Sequence, residues 1–240
     1  RGRHISSNRY VPMILPDGRS LHGINDASIR IGLRLSKDET IVRMPFEVRH
    51  MGSKYPIFSF DFTGAKRGVL PASYDYLRLE GRMQYRLNLP PIGYSQLMLE
   101  GGKIFGKVPY LLLKLHEGNG TYFYDRYAFS CMNFYEFSSD AWISFFYEHH
   151  FNGFLLGRVP LLKKLNWREV FVFKGVYGTL SARNDGSLPN TKAVMLFPVG
   201  MSSVEHPYLE TGFGIENIFR LLRVDCIWRL THRSEENTSE

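Results

Sequence analysis

Tyr74-Asp75-Tyr76-Leu77-Arg78-Leu79-Glu80-Gly81-Arg82-Met83-Gln84-Tyr85-Arg86-Leu87-Asn88-Leu89 is a run of sixteen residues that alternates with a period of two. Leu77, Leu79, Gly81, Met83, Tyr85, Leu87 and Leu89 fall on one face, and Arg78, Glu80, Arg82, Gln84, Arg86 and Asn88 on the other. That period belongs to a β-strand, whose successive side chains point to opposite faces. At about 3.3 Å per residue the strand reaches roughly 50 Å, where a globular strand usually has about five or six residues. Such length suits a tilted strand crossing a bilayer. A soluble sandwich or small barrel points its apolar side into the core and scatters short polar residues over the wet side. Three arginines and a glutamate in one row instead resemble the lumen of a barrel whose apolar side faces lipid.

At 240 residues the chain fits one large domain or two small ones, and no Pro/Gly/Ser-rich linker or low-complexity tract divides it. Aromatic residues make up 15%, with 18 Phe and 14 Tyr, a load that favours strands. A membrane barrel places such rings in its interfacial girdles. The longest apolar runs, such as Val108-Pro109-Tyr110-Leu111-Leu112-Leu113, are far too short for a transmembrane helix. A membrane-spanning fold is therefore expected to be a closed barrel, because lipid offers no partner to an open sheet edge. Residues 1–10 carry neither an apolar h-region nor a cleavage site, as in a cytosolic chain or a piece lacking its leader. The net charge of +7 is spread over the chain without a recognisable nucleic-acid module, so no nucleic-acid partner is expected. Cys131 and Cys226 suggest neither a disulfide framework nor a metal spacing.

Further strands are expected at residues 28–36, 57–62, 94–101, 127–137, 141–151, 169–179, 208–214 and 224–232, roughly ten in all with short turns between them. Pro90-Pro91-Ile92-Gly93 and Ser138-Ser139-Asp140 read as tight turns, the second joining two aromatic strands. The fold class expected is all-β, an antiparallel transmembrane β-barrel, partial, with short amphipathic helical connectors. Three connectors share a basic, amphipathic character. Phe105-Gly106-Lys107-Val108-Pro109-Tyr110-Leu111-Leu112 echoes Leu156-Gly157-Arg158-Val159-Pro160-Leu161-Leu162-Lys163, and Glu216-Asn217-Ile218-Phe219-Arg220-Leu221-Leu222-Arg223 is the third. Counting strand reversals puts all three on one rim, with the Pro90 turn, the Ser138 turn and the 181–207 loop on the other. Such segments suit the headgroup layer or, alternatively, serve as helical turns plugging one end of a barrel.

The runs His116-Glu117-Gly118-Asn119-Gly120-Thr121-Tyr122, Tyr124-Asp125-Arg126-Tyr127, Phe145-Phe146-Tyr147-Glu148-His149-His150-Phe151-Asn152-Gly153 and Gly214-Ile215-Glu216-Asn217-Ile218-Phe219-Arg220 resemble the C-terminal barrel portion of a large Bacteroidetes outer-membrane family of unknown function. Its longer members carry a signal peptide, a carboxypeptidase-regulatory-like β-sandwich and a barrel distantly similar to bacterial surface-antigen barrels. The resemblance implies a cell outer-membrane location, contact with outer-membrane lipid, and periplasmic or outer-membrane protein partners. It also implies that residues 1–240 are the C-terminal part of one barrel domain, without its N-terminal part and its last strand. Members of the family continue beyond Trp228-Arg229-Leu230-Thr231 into one more strand, where this sequence has the polar tail 233–240. Restoring that strand, with its end in the periplasm, would place the three connectors on the periplasmic side and the 181–207 loop outside. The Arg-Gly-aromatic lid motif of the surface-antigen barrels is absent, so no insertase role is implied.

Glu148, His149 and His150, with His116 and Glu117, form the one cluster suited to metal binding or acid–base chemistry. His149 and His150 point to opposite faces of a strand and cannot share an ion without a bulge, which favours structural histidines at a barrel rim. Ser144 and His150 share a face but stand near 20 Å apart along one strand, so they are not hydrolase partners. Gly212-Phe213-Gly214 lacks the third glycine and the βαβ context of a dinucleotide site. No catalytic residue, metal ligand or cofactor is expected. The residues expected to face the lumen are Arg30, Arg34, Arg78, Glu80, Arg82, Arg86, Glu210, Asp225 and Arg229, as an interior salt-bridge network or as the lining of an anion-favouring pore. The leading functional expectation is a non-catalytic outer-membrane barrel in transport, envelope assembly or as an interaction platform. Its rivals are a membrane-embedded hydrolase of lipid or surface glycan and a soluble ligand-binding β-barrel.

Overall fold

The computed structural model describes residues 2–9, 11–119, 123–187, 192–204 and 206–232. Its strands, in chain order, are β1 (Gly2–Ser6), β2 (Gly23–Ala27), β3 (Ile29–Leu35), β4 (Thr40–Met44), β5 (Glu47–Gly52), β6 (Ile57–Ala65), β7 (Tyr76–Asn88) and β8 (Tyr94–Gly106). Then follow β9 (Lys114–Leu115), β10 (Phe137–Ser139), β11 (Ala141–His150), β12 (Arg168–Thr179), β13 (Ser202–Ser203), β14 (Tyr208–Ile218) and β15 (Leu222–Arg229). Eight of these form one antiparallel sheet in the order β3-β6-β7-β8-β11-β12-β14-β15, a meander in which every strand lies beside its predecessor in the sheet. The long alternating run is β7, thirteen residues rather than sixteen. Asp75 is drawn off to accept a hydrogen bond from Arg67 N, and Leu89 N turns back to the Gly93 carbonyl.

The sheet is open. Its outer strands β3 and β15 do not pair with each other, so the closed barrel expected from strand length is not formed by these eight strands alone. Nor are residues 127–137 a strand. Phe129 and Phe137 fill a core against the sheet while Tyr127, Phe134 and Tyr135 stay exposed, and Ser138-Ser139-Asp140 is no hairpin turn but contains most of the short β10. Removing that strand shifts the reversal count. The connectors 36–56, 89–93, 151–167 and 219–221 gather at one end of the sheet, and 66–75, 107–140 and 180–207 at the other. The connector at 105–112 is thus opposite to the other two, a correction to the single rim expected. It finishes β8 and ends in the 3₁₀ turn Tyr110–Leu112, while 156–163 holds a 3₁₀ turn and the one-turn helix α1 (Pro160–Lys163). The third has no helix at all, because Asn217, Phe219 and Arg220 take positive φ and reverse the chain tightly.

One face of the sheet is apolar and exposed, and the other, where charges are interleaved with apolar side chains, is buried. Ile31, Leu33, Phe62, Phe213, Val224 and Trp228 on one face are exposed, at 65%, 51%, 46%, 57%, 57% and 52%. On the opposite face Glu100, Glu148, Lys174 and Glu210 are buried. The cover comes from the connectors and from the segment that precedes β3. Phe129, Met132 and Phe137 pack on Met98, Phe146, Val176 and Tyr208 of the sheet, and a second core joins Met13, Ile24, Tyr110, Leu113 and Met195 to Ile104 and Trp142. Gly102 makes room for the Trp142 indole, since a Cβ there would meet its ring at 2.6 Å. No helix among the described residues is long and apolar enough to cross a membrane. Gly120, Thr121 and Tyr122 of the first resemblance motif and the tail 233–240 lie outside the described residues.

Candidate functional site

The charged face of the sheet, with the segment folded onto it, concentrates the buried polar chemistry of the molecule. On β11 the alternation puts Trp142, Ser144, Phe146, Glu148 and His150 on this face, and β12 adds Val170, Val172, Lys174 and Val176. Glu148, 1% exposed, is its hub. The Tyr124 hydroxyl and Arg126 Nε donate to its Oε2 at 2.8 and 3.2 Å, Arg223 Nη1 donates to Oε1 at 2.6 Å, and His150 Nε2 lies 2.7 Å from Oε1. Asp225 holds Arg223 from the other side at 2.8 Å, and Glu216 stands 3.1 Å from His150 Nδ1. A carboxylate so deep is tolerable only with this many charged donors. Burial raises the Tyr124 phenol pKa and the adjacent Glu148 raises it further. Burial works against the Arg126 charge, but Glu148 more than offsets it and holds the guanidinium above its ordinary range.

Two further anchors tie the segment 107–140 to the wall. Lys174 Nζ donates to the Asp125 carbonyl at 2.8 Å and to that of Ala128, with its charge 4.6 Å from the Tyr124 ring centre. Glu210 accepts from the Ser130 and Cys131 backbone amides at 2.9 and 2.7 Å and from the Tyr208 hydroxyl at 2.6 Å. A third carboxylate, Glu100, receives Lys114 at 2.8 Å and Arg82 at 3.0 Å. His116 lies near this pair, its Nε2 2.9 Å from Ser139 Oγ, and burial drives its pKa from 6.5 down to about 3, with Lys114 acting in the same direction. The contacts describe a segment fixed to the sheet by matched charges.

The family model for the C-terminal domain of a family of unknown function (DUF5686) matches residues 3–182, three quarters of the chain. The chain belongs to that family. No curated protein matches it. The matched span of this DUF5686 domain takes in strands β2 to β12 and the whole 107–140 segment, so the hub residues Tyr124, Arg126, Glu148 and His150 lie inside it and Arg223 beyond it.

All nine residues expected to be lumen-facing lie on the charged face of the sheet, six within the span matched by the DUF5686 domain and Glu210, Asp225 and Arg229 beyond it. Only Arg78 and Glu80 pair with each other, at 2.7 Å. Arg30 pairs with Asp61 at 2.8 Å, Arg34 with Glu39, Arg82 with Glu100, Asp225 with Arg223 and Arg229 with Glu136 at 2.6 Å, while Arg86 stacks over Tyr94 at 4.1 Å. Glu100, Glu136, Lys174 and Arg223 were not singled out from sequence. Lys174 had a usable signal, as the one charge in a row of valines. Glu148 and His150 share the charged face, whereas His149 lies on the apolar one, where its Nδ1 meets Ser95 Oγ at 2.8 Å and its Nε2 the Ile92 carbonyl at 3.0 Å. That pair joins neighbouring strands, an arrangement that spacing within one strand does not reveal. With the second nitrogen taken by a backbone carbonyl and both residues buried, it clasps the Pro90 turn to β11. No group of His, Cys, Asp and Glu among the described residues is arranged to hold a metal.

Proposed function

We propose that the chain is the wall of an outer-membrane β-barrel whose lumen is filled by its own connectors. It has no catalytic step and serves as an envelope-assembly or interaction platform, with any transport requiring displacement of the plug. The observation that supports this most is the wide exposed apolar face, with Phe62, Phe213 and Trp228 outward, set against a buried face that holds the charges of Glu148, Lys174 and Glu210. Water penalises the first arrangement and lipid the reverse, so a bilayer is the solvent in which both faces are satisfied. In the bilayer the edges of β3 and β15 need strand partners, and the proposed barrel is completed by strands additional to these eight. The two shortest connectors, 89–93 and 219–221, share one end, which we assign to the periplasm. The long 107–140 and 180–207 connectors enter from outside.

Fractionation of the protein with its leader, followed by a heat-modifiability gel and thiol labelling in a Cys131→Ser background, tests the reading. Recovery in the outer membrane, a mobility shift on boiling, and Cys226 reacting with a lipid-soluble maleimide but not with a sulfonated one are the expected results. A soluble, unshifted protein with Cys226 open to both reagents would overturn it.

A further inference from the structure

We propose that the cleft between the 151–167 connector and the 217–220 turn binds the headgroup phosphate of an anionic glycerophospholipid. This rests on reading the apolar face as lipid-embedded. The cleft, of about 440 Å³, is lined by Lys163, Arg168 and Arg220, and no carboxylate lines it. Over much of the charged face cations meet carboxylates, Arg82 and Lys114 at Glu100, Arg126 and Arg223 at Glu148, and Arg229 at Glu136, while Arg86 rests on the Tyr94 ring and Lys174 on backbone carbonyls. Here three positive charges converge without an ion pair to any described carboxylate. Glu216, the register partner of Arg168, is turned to His150 instead. Unbalanced cations held this close raise one another's energy and favour an anion between them.

The rest of the lining suits a phosphate ester. Asn152, Asn166 and Asn217 all take positive φ, and these reversals place three amides on the cleft, with the Asn217 side chain fixed by its bond to the Asn166 carbonyl at 2.8 Å. Trp167 contributes an indole of the kind that settles at the headgroup level. Around the rim Leu161, Phe219 and Leu221 are 81%, 83% and 88% exposed, continuous through Leu222 and Val224 with the outward apolar face. A free anion has no use for that border. Acyl chains do, and charge inside with apolar side chains outside is the complement of a phospholipid lying against the wall.

The test uses protein extracted from the outer membrane and placed in nanodiscs of phosphatidylglycerol and phosphatidylcholine, with retained lipid read by native mass spectrometry. The expected result is preferential retention of phosphatidylglycerol, reduced about thirtyfold in the Lys163→Gln/Arg220→Gln variant, whose two sites are surface-exposed, and unchanged in Lys66→Gln at the other end. Equal retention of the two lipids, or retention indifferent to the double variant, would overturn the proposal. Displacement by millimolar inorganic phosphate as effective as that by phosphatidylglycerol would overturn the lipid as the ligand. Heat-modifiability of every variant separates these outcomes from failure of the barrel reading, which would show as protein that never enters the membrane fraction and would remove the lipid site with it.

Discussion

Arg223 of β15 donates to Glu148 of β11 at 2.6 Å although β14 and β12 lie between them. Three strand steps of about 4.8 Å separate the two backbones by roughly 14 Å, a gap two long side chains close only over small neighbours. Gly214 is one of these, since a Cβ there would meet Asp225 Oδ1 at 2.2 Å. Glu148→Ala should therefore loosen both the plug and the far strands, at a cost of about 3–5 kcal/mol, and lower the temperature of the heat-modifiability transition. Arg223→Met combined with Glu148→Ala should cost less than the sum of the two. Strict additivity would show that the contact carries no coupling.

Charge placed on the two faces should have opposite fates. Phe213→Arg puts a guanidinium mid-strand on the apolar face and should cost about 2–4 kcal/mol at the membrane midplane, with reduced recovery in the outer membrane. Gln84→Arg, on the charged face beside Met98, should be assembled normally. In a soluble sheet the order would not hold, because Phe213 is 57% exposed and its replacement would be close to neutral.

Reconstituted wild-type barrel should conduct poorly in planar bilayers, since Phe129, Met132 and Phe137 fill the space over Met98, Phe146 and Tyr208. Replacing residues 118–135 with a short Gly-Ser linker should raise single-channel conductance, at a cost in stability because Glu148, Lys174 and Glu210 lose their partners on the segment. A wild-type channel as conductive as the deletion would mean that the segment does not plug the lumen.

Acid should weaken the attachment of the 107–140 segment before carboxylates titrate. His116 has a folded pKa of about 3 against 6.5 in the unfolded chain, so below pH 6.5 the unfolded form takes up a proton that the folded form refuses. The stability it contributes is present above pH 6.5 and declines as the pH falls toward 3. His116→Asn should flatten the pH dependence of the transition temperature between pH 6.5 and 5. An unchanged slope would place the titration elsewhere.

Most of the wall was legible in the chain, because alternation over β3, β6, β7, β11 and β15 fixes a period that no helix can share. The open sheet edges were not, since pairing between first and last strands leaves no local mark. The 127–137 run misled for a physical reason. Its composition is strand-like, yet Phe129, Met132 and Phe137 serve packing on Met98 and Phe146, contacts between distant segments that a local pattern does not encode. The charged face was legible as a row and not as pairs. Arg82 finds Glu100 across one ladder and Arg229 finds Glu136 on the plug, and only the folded connector decides which.

The hub at Glu148 sets an order of events for assembly. Tyr124 and Arg126 reach it as soon as their segment settles on β11, whereas Arg223 arrives only with β15. Until then the carboxylate is partly unpaired, in surroundings that penalise stranded charge. A sheet without β15 is weaker than its number of formed strands would suggest. Strand β15 is thus a latch on the folded connector, gripping it through a carboxylate three strands away.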